Sequence, residues 1–147
     1  MRMKGIFLFI ILFLISCFNP TQERVEVDVS DFGILPNTGQ NNVMQINKLI
    51  ENIDSNTPIE IIFPKGRYDF SPDSNYYKKY YETNTYDVNP KRLAIFIYKK
   101  ENITINGKGS DFIFHDHIQP FTLDNSENIT IKNVNIDWEK PLTAEAE

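Results

Sequence analysis

Several short clusters in this 147-residue chain carry side chains able to do chemistry. His115-Asp116-His117 sets two imidazoles at alternating positions, so a strand would turn both to one side. A zinc site would need a third protein ligand, and none is in evidence. The spacing therefore points to a hydrogen-bonded corner and to no metal. Asp137-Trp138-Glu139 puts carboxylates beside a large ring, the pairing expected where a sugar stacks on an aromatic face. Asp137 and Trp138 are the candidate substrate-binding residues. The plainer alternative makes Trp138 part of the core and turns Asp137 outward. Five tyrosines (Tyr76, Tyr77, Tyr80, Tyr81 and Tyr86) could form a sugar platform, a subunit contact or ordinary surface packing. Lys91-Arg92 could hold a carboxylate, although a solvated pair is the default. Asp31-Phe32-Gly33 matches a kinase magnesium loop only in isolation. No Gly-rich phosphate loop, Val-Ala-Ile-Lys-type strand or catalytic loop accompanies it, which excludes that chemistry. None of these clusters implies a cofactor.

The remaining reactive group is Cys17, the only cysteine. A basic start, Met1-Arg2-Met3-Lys4, leads into an uncharged run from Gly5 to Ile15, too short to span a bilayer comfortably. Leu14-Ile15-Ser16-Cys17 then resembles the bacterial lipoprotein signal, in which the cysteine thiol takes a diacylglycerol and becomes the new N-terminus. The expectation is a signal over 1–17 with lipidation at Cys17, a tether over 18–24 and a folded region over 25–147. Acyl chains would anchor the protein to a membrane without spanning it, at the cell surface or in the periplasm. An ordinary secretory signal with an incidental Cys17 is the alternative.

With the signal gone no second cysteine exists, so disulfides cannot hold the fold. Losing Arg2 and Lys4 leaves 13 Lys+Arg against 20 Asp+Glu, a net charge of −7. A phosphate backbone selects the opposite sign, which argues against a nucleic-acid partner.

The elements that must position these groups follow from periodicity. Val25 to Val29 alternates apolar and charged residues, as a half-buried strand does. Asn41 or Asn42 can cap a helix whose face carries Val43, Ile46, Leu49, Ile50 and Ile53. Ile59 to Phe63 reads as a short buried strand, and Pro64-Lys65-Gly66 turns the chain into Arg67-Tyr68-Asp69-Phe70. From Ser71 to Pro90 the pattern breaks, as in a long surface excursion. After Pro90 the chain repeats itself at an offset of 26: Ile95, Ile97, Ile103 and Ile105 fall over Phe121, Leu123, Ile129 and Ile131, and Glu101-Asn102 over Glu127-Asn128. The same offset lays Phe112 over Trp138. Between the copies lies one more short strand, Asp111 to Phe114.

A fixed period with several short strands and Asn or Gly corners is the pattern of a solenoid whose strands stack on one another. The expected fold is all-β, a parallel β-helix with the Val43–Ile53 helix covering its first, otherwise exposed, end. A sandwich would give no reason for the repeat. Asn102 and Asn128 would stack at equivalent corners with their amides bonded. The sequons Asn102-Ile103-Thr104 and Asn128-Ile129-Thr130 then read as corners before glycan sites.

The order Asp31-Phe32-Gly33, amphipathic helix, Ile61-Ile62-Phe63-Pro64-Lys65-Gly66-Arg67-Tyr68 resembles the opening of the pectate-lyase-like, right-handed β-helix superfamily. A closer resemblance, to glycoside hydrolase family 110, runs through Asp31 to Ile34, Pro36 to Gly39, Phe63 to Phe70, Asp87 to Ile95, Gly109 to Asp116, Gln119 to Thr122, Ser126 to Asn133, Ile136 to Trp138 and Pro141 to Ala144. That resemblance covers almost the whole mature chain but only the N-terminal part of such an enzyme. It implies an inverting α-1,3-galactosidase acting on blood-group-B-type glycans, with a galactose-terminated glycan as partner. Inversion needs a general acid and a general base ~6.5–9.5 Å apart with a water between them. The resemblance places that pair beyond Glu147, so no catalytic residue carries over and this chain alone is expected to be inactive. A non-catalytic surface β-helix, a glycan binder or adhesin, is the alternative, and a homo-oligomer is compatible with either.

Overall fold

The computed structural model describes residues 24–54, 57–80 and 90–141. Its strands are β1 (Val25–Asp28), β2 (Ile59–Ile62), β3 (Arg67–Phe70), β4 (Tyr77–Lys78), β5 (Lys91–Tyr98), β6 (Ile103–Phe114), β7 (Gln119–Asp124) and β8 (Thr130–Trp138). Among the described residues, one α-helix, α1 (Val43–Asn52), and two 3-10 turns, at Val29–Phe32 and Ser74–Tyr76, complete the elements. Cys17, where lipidation is expected, Tyr81, Tyr86 and the residues from 142 onward lie outside the described residues.

Pairing is parallel almost throughout. β1 lies on β2, β2 and β3 lie on successive halves of β6, β6 lies on β8, and β5 lies on β7. Only β4 runs antiparallel, against Arg92 and Lys91 of β5. Each pass of the chain thus sets its strands beside those of the pass before it. The 26-residue offset is the register itself: Ile95 pairs with Phe121, Ile97 with Leu123 and Ile105 with Ile131. Asn102 and Asn128 both turn through positive φ, 57° and 52°, and the Asn128 amide donates to Asn102 Oδ1 at 2.6 Å. Asn tolerates this left-handed conformation better than most residues, which fixes the corner type locally.

The register departs from expectation at one place. Past Asn106 the offset drops from 26 to 24, so Phe112 pairs with Ile136 and it is Phe114 that pairs with Trp138. The earlier pass carries two extra residues at Gly107-Lys108-Gly109, where Lys108 and Gly109 turn through positive φ. At Gly107 a Cβ would sit 2.4 Å from Val134 Cγ1 and 2.5 Å from the Asn133 carbonyl oxygen, so the glycine is required by close approach. Asp111 to Phe114 is correspondingly the second half of the long strand β6, not a separate strand.

Side chains alternate across these strands, and one set fills the interior. Tyr68, Phe63, Phe70, Phe112 and Phe114 are fully buried. Phe63 meets Phe112 at 4.8 Å and Tyr68 edge-on at 5.0 Å, while Phe70 reaches Phe112 and Phe114 at 5.2 Å each. Helix α1 buries Val43, Ile46, Leu49 and Ile50, with Ile53 buried just past its end. Its first turn is held by Asn41, whose Oδ1 accepts from the Val43 amide at 3.2 Å, while Asn42 bonds elsewhere. Asn47 does a strand's work on the free edge of β5: its amide donates to the Ala94 carbonyl at 2.7 Å and its carbonyl accepts from the Phe96 amide at 2.8 Å. Lys100 closes the other end of the helix by donating to the Glu51 and Ile53 carbonyls.

Candidate functional site

Phe70, Phe114 and Trp138 stand side by side in register on β3, β6 and β8. The residues that follow them, Ser71, His115 and Glu139, are therefore neighbours as well, and the ladder runs on through them. The His115 amide donates to the Phe70 carbonyl at 2.9 Å and the Glu139 amide to the Phe114 carbonyl at 3.0 Å. A cavity of about 410 Å³ opens there, lined by Ser71, His115, Asp116, His117, Glu139, Lys140 and Pro141.

One ion network backs this cavity. Asp69 is buried, and its Oδ1 meets both Arg67 Nη2 at 2.7 Å and His115 Nε2 at 2.9 Å. Arg67 Nη2 also reaches Glu139 Oε2 at 2.6 Å. Burial works to raise the Asp69 carboxyl, but the hydrogen bonds from Arg67 and His115 outweigh it and hold the group below its ordinary value. An ionised carboxylate only accepts, so His115 Nε2 carries the proton of that bond and Nδ1 is the ring atom left over.

The sequence candidates divide accordingly. His115 takes part in the corner network expected for it, and His117 lines the same cavity. Among the described residues no group of three His, Cys, Asp or Glu side chains is placed to hold a metal. Trp138 packs on Phe114 at 5.7 Å and is half-buried, whereas Asp137 is exposed and accepts from the Trp138 amide at 2.8 Å. Neither lines the cavity; the next residue, Glu139, does. Of the tyrosine cluster, the described members Tyr76, Tyr77 and Tyr80 pack over β5. Tyr76 is buried, Tyr77 lies under Arg92 at 5.8 Å, and Tyr80 packs on Phe96 and bonds Asp124. Burial, then the Asp124 bond, pushes the Tyr80 hydroxyl up to about 12. Asp31-Phe32-Gly33 closes a 3-10 turn on a left-handed Gly33, a structural role. Sequence reasoning missed Asp69 and Arg67. Their one signal was charge at alternate positions of a strand otherwise made of Tyr68 and Phe70.

The cavity and the stacked strands belong to a sequence with clear relatives. The chain is 48% identical over 132 residues to alpha-1,3-galactosidase B of Bacteroides thetaiotaomicron, which covers 90% of this chain and 22% of that protein. The chain is homologous to part of the alpha-1,3-galactosidases. Alpha-1,3-galactosidase B of Bacteroides fragilis is 35% identical over 99% of the chain and 25% of its own length. Alpha-1,3-galactosidase A of Shewanella woodyi is 33% identical over 86% of the chain and 21% of its own length. The chain thus spans between a fifth and a quarter of the curated relatives it matches. No family model matches it.

Proposed function

We propose that this chain is the N-terminal part of an exported glycoside hydrolase that removes terminal α-1,3-linked galactose. The observation that carries the reading is the 48% identity to alpha-1,3-galactosidase B over 90% of the chain. Its scaffold role is read from the pairing: strands stacked in parallel at a repeated offset, with an Asn ladder at the corner, favour a right-handed parallel β-helix with α1 over its first end. The galactosidase names of the relatives support a galactose-containing glycan as substrate, and the blood-group-B determinant is the specific form we assign to it. The hydrolysis inverts the anomeric centre, and its two carboxylates lie on later passes, outside this chain. Export and anchoring rest on residues 1–17, with Cys17 as the acylated residue and the membrane as its partner.

The stereochemistry gives a direct test. The polypeptide encoded through the whole reading frame, mixed with an α-1,3-digalactoside in deuterated buffer, should release β-galactose as the first anomer seen by proton NMR. Initial α-galactose would sink the inverting mechanism, and release from the α-1,4 isomer at an equal rate would sink the linkage assignment. For the anchor, an alkynyl fatty acid fed to cells should label the native chain and not Cys17→Ser. Equal labelling of both would remove the lipoprotein reading.

A further inference from the structure

We propose that the corner cavity bounded by His115, His117, Glu139 and Lys140 is a binding subsite for one neutral hexose unit. The inference rests on the glycosidase reading for the kind of sugar, a galactoside, and on the cavity itself for the rest. Its volume of about 410 Å³ lies at the small end of the ~300–1,000 Å³ range of small-molecule sites. That suits one saccharide ring and not an extended chain.

The lining decides the chemistry. Pro141 is its only apolar side chain, so an apolar ligand would leave the polar groups of the lining without partners. Asp116 and Glu139 share the lining with a single lysine, Lys140, and the Arg67 guanidinium behind them is already shared between Asp69 and Glu139. Such a balance repels phosphate and carboxylate ligands. A divalent cation is disfavoured too, because no three ligating side chains converge among the described residues. What remains is a neutral ligand with many hydroxyls, each of which donates and accepts.

The cavity lining offers both halves of that exchange. His115 Nε2 is committed to Asp69, so in the neutral ring Nδ1 presents an acceptor. Glu139 spends Oε2 on Arg67 and its amide on Phe114, which locks its direction and leaves Oε1 as a second acceptor. Lys140 supplies the donor. A carboxylate and an ammonium in one lining suit the hydroxyls of a pyranose, which both donate and accept.

The chain holds two histidines in all, and both line this cavity, which makes them selective reporters. The histidine-labelled 147-residue chain is titrated with methyl α-galactopyranoside, and separately with glycerol and inorganic phosphate, while the imidazole signals are followed by NMR. Both imidazoles should shift saturably with the galactoside, at half-saturation on the order of millimolar, and not with glycerol or phosphate. Lys140→Ala and Glu139→Gln, both exposed positions, should each weaken the galactoside at least about fivefold with the fold unchanged by circular dichroism. The subsite is refuted by a linear or absent response to about 100 mM, by an equal response to glycerol or phosphate, or by variants that bind like the parent. Failure here leaves the glycosidase reading standing, because that reading is scored on galactose release. Conversely, saturable binding by this chain, with no galactose released by the polypeptide encoded through the whole reading frame, would keep the subsite and remove the enzyme.

Discussion

The β5 strand and the β7 strand beside it carry the same inward pattern but sit in different surroundings. On β5, Leu93, Ile95 and Ile97 are at most 1% exposed, because α1 packs over them and Asn47 pairs with the strand's outer edge. On β7 and β8, Leu123 is 51% exposed and Ile136 47%, with Phe121, Ile129, Ile131 and Val134 only partly covered. Trp138 Nε1 is buried there without a partner. Equal sequence patterns therefore do not mean equal contributions to stability. A residue contributes through what covers it, and the β7–β8 side holds apolar surface that another layer of strands would bury.

That contrast can be tested from its strongest side first. Phe112→Ala removes a ring enclosed by Phe63, Tyr68, Phe70 and Phe121, and should cost about 3–5 kcal/mol in urea unfolding. A loss below about 1 kcal/mol would mean the aromatic interior is not packed as described. Asn47→Ala orphans two backbone groups at the covered edge and should cost about 2–4 kcal/mol. The matched change at the open side, Asn135→Ala, loses only an exposed bond to Asp111 and should stay within about 0.5 kcal/mol. Equal losses from the two would erase the distinction between covered and open edges.

A smaller effect comes from Glu60, whose carboxylate bonds Lys132, Arg24 and Asn106 and is drawn down from its ordinary value near 4.5 to about 2. The unfolded carboxyl binds its proton more readily, so this contribution is present above about pH 4.5 and fades as pH falls toward 2. Arg24 and Lys132 are 46% and 38% exposed, which reduces the expected worth to about 1–2 kcal/mol. Glu60→Gln should therefore be less stable than the parent at pH 7, with the gap narrowing below about pH 4.5 and closing near pH 2 in paired urea titrations. A gap that stays constant with pH would remove the ionic explanation. The smallest effect is expected from Leu123→Lys, which should leave stability within about 0.5 kcal/mol while reducing self-association in gel filtration. A large loss of stability would place Leu123 in a buried environment after all.

Much of this arrangement is legible in the residues. The helical face from Val43 to Ile53 is buried as its periodicity requires, and the offset of 26 reproduces the pairing of Ile95, Ile97 and Ile105. The shift to 24 after Asn106 is not legible, for a physical reason. A slip of two residues preserves the in–out alternation, so Phe112 over Trp138 and Phe114 over Trp138 look equally good as patterns. Only the close approach at Gly107 distinguishes them. The pairing of β2 and β3 with β6 is hidden by a step of 44 residues, which the excursion from Ser71 to Pro90 inserts. The cavity inherits both obstacles. His115 stands beside Ser71 and Glu139 through these two registers, so the sequence placed the sugar candidate at Asp137 and Trp138, one step short of the cavity wall.

Whether this chain is the scaffold part of a galactosidase, as proposed, with its chemistry on a longer polypeptide, is decided most directly by one assay. The 147-residue chain and the polypeptide encoded through the whole frame are incubated side by side with an α-1,3-digalactoside, and free galactose is measured. Galactose should appear with the longer polypeptide alone. Hydrolysis by the 147-residue chain, or none by the longer one, would contradict the account.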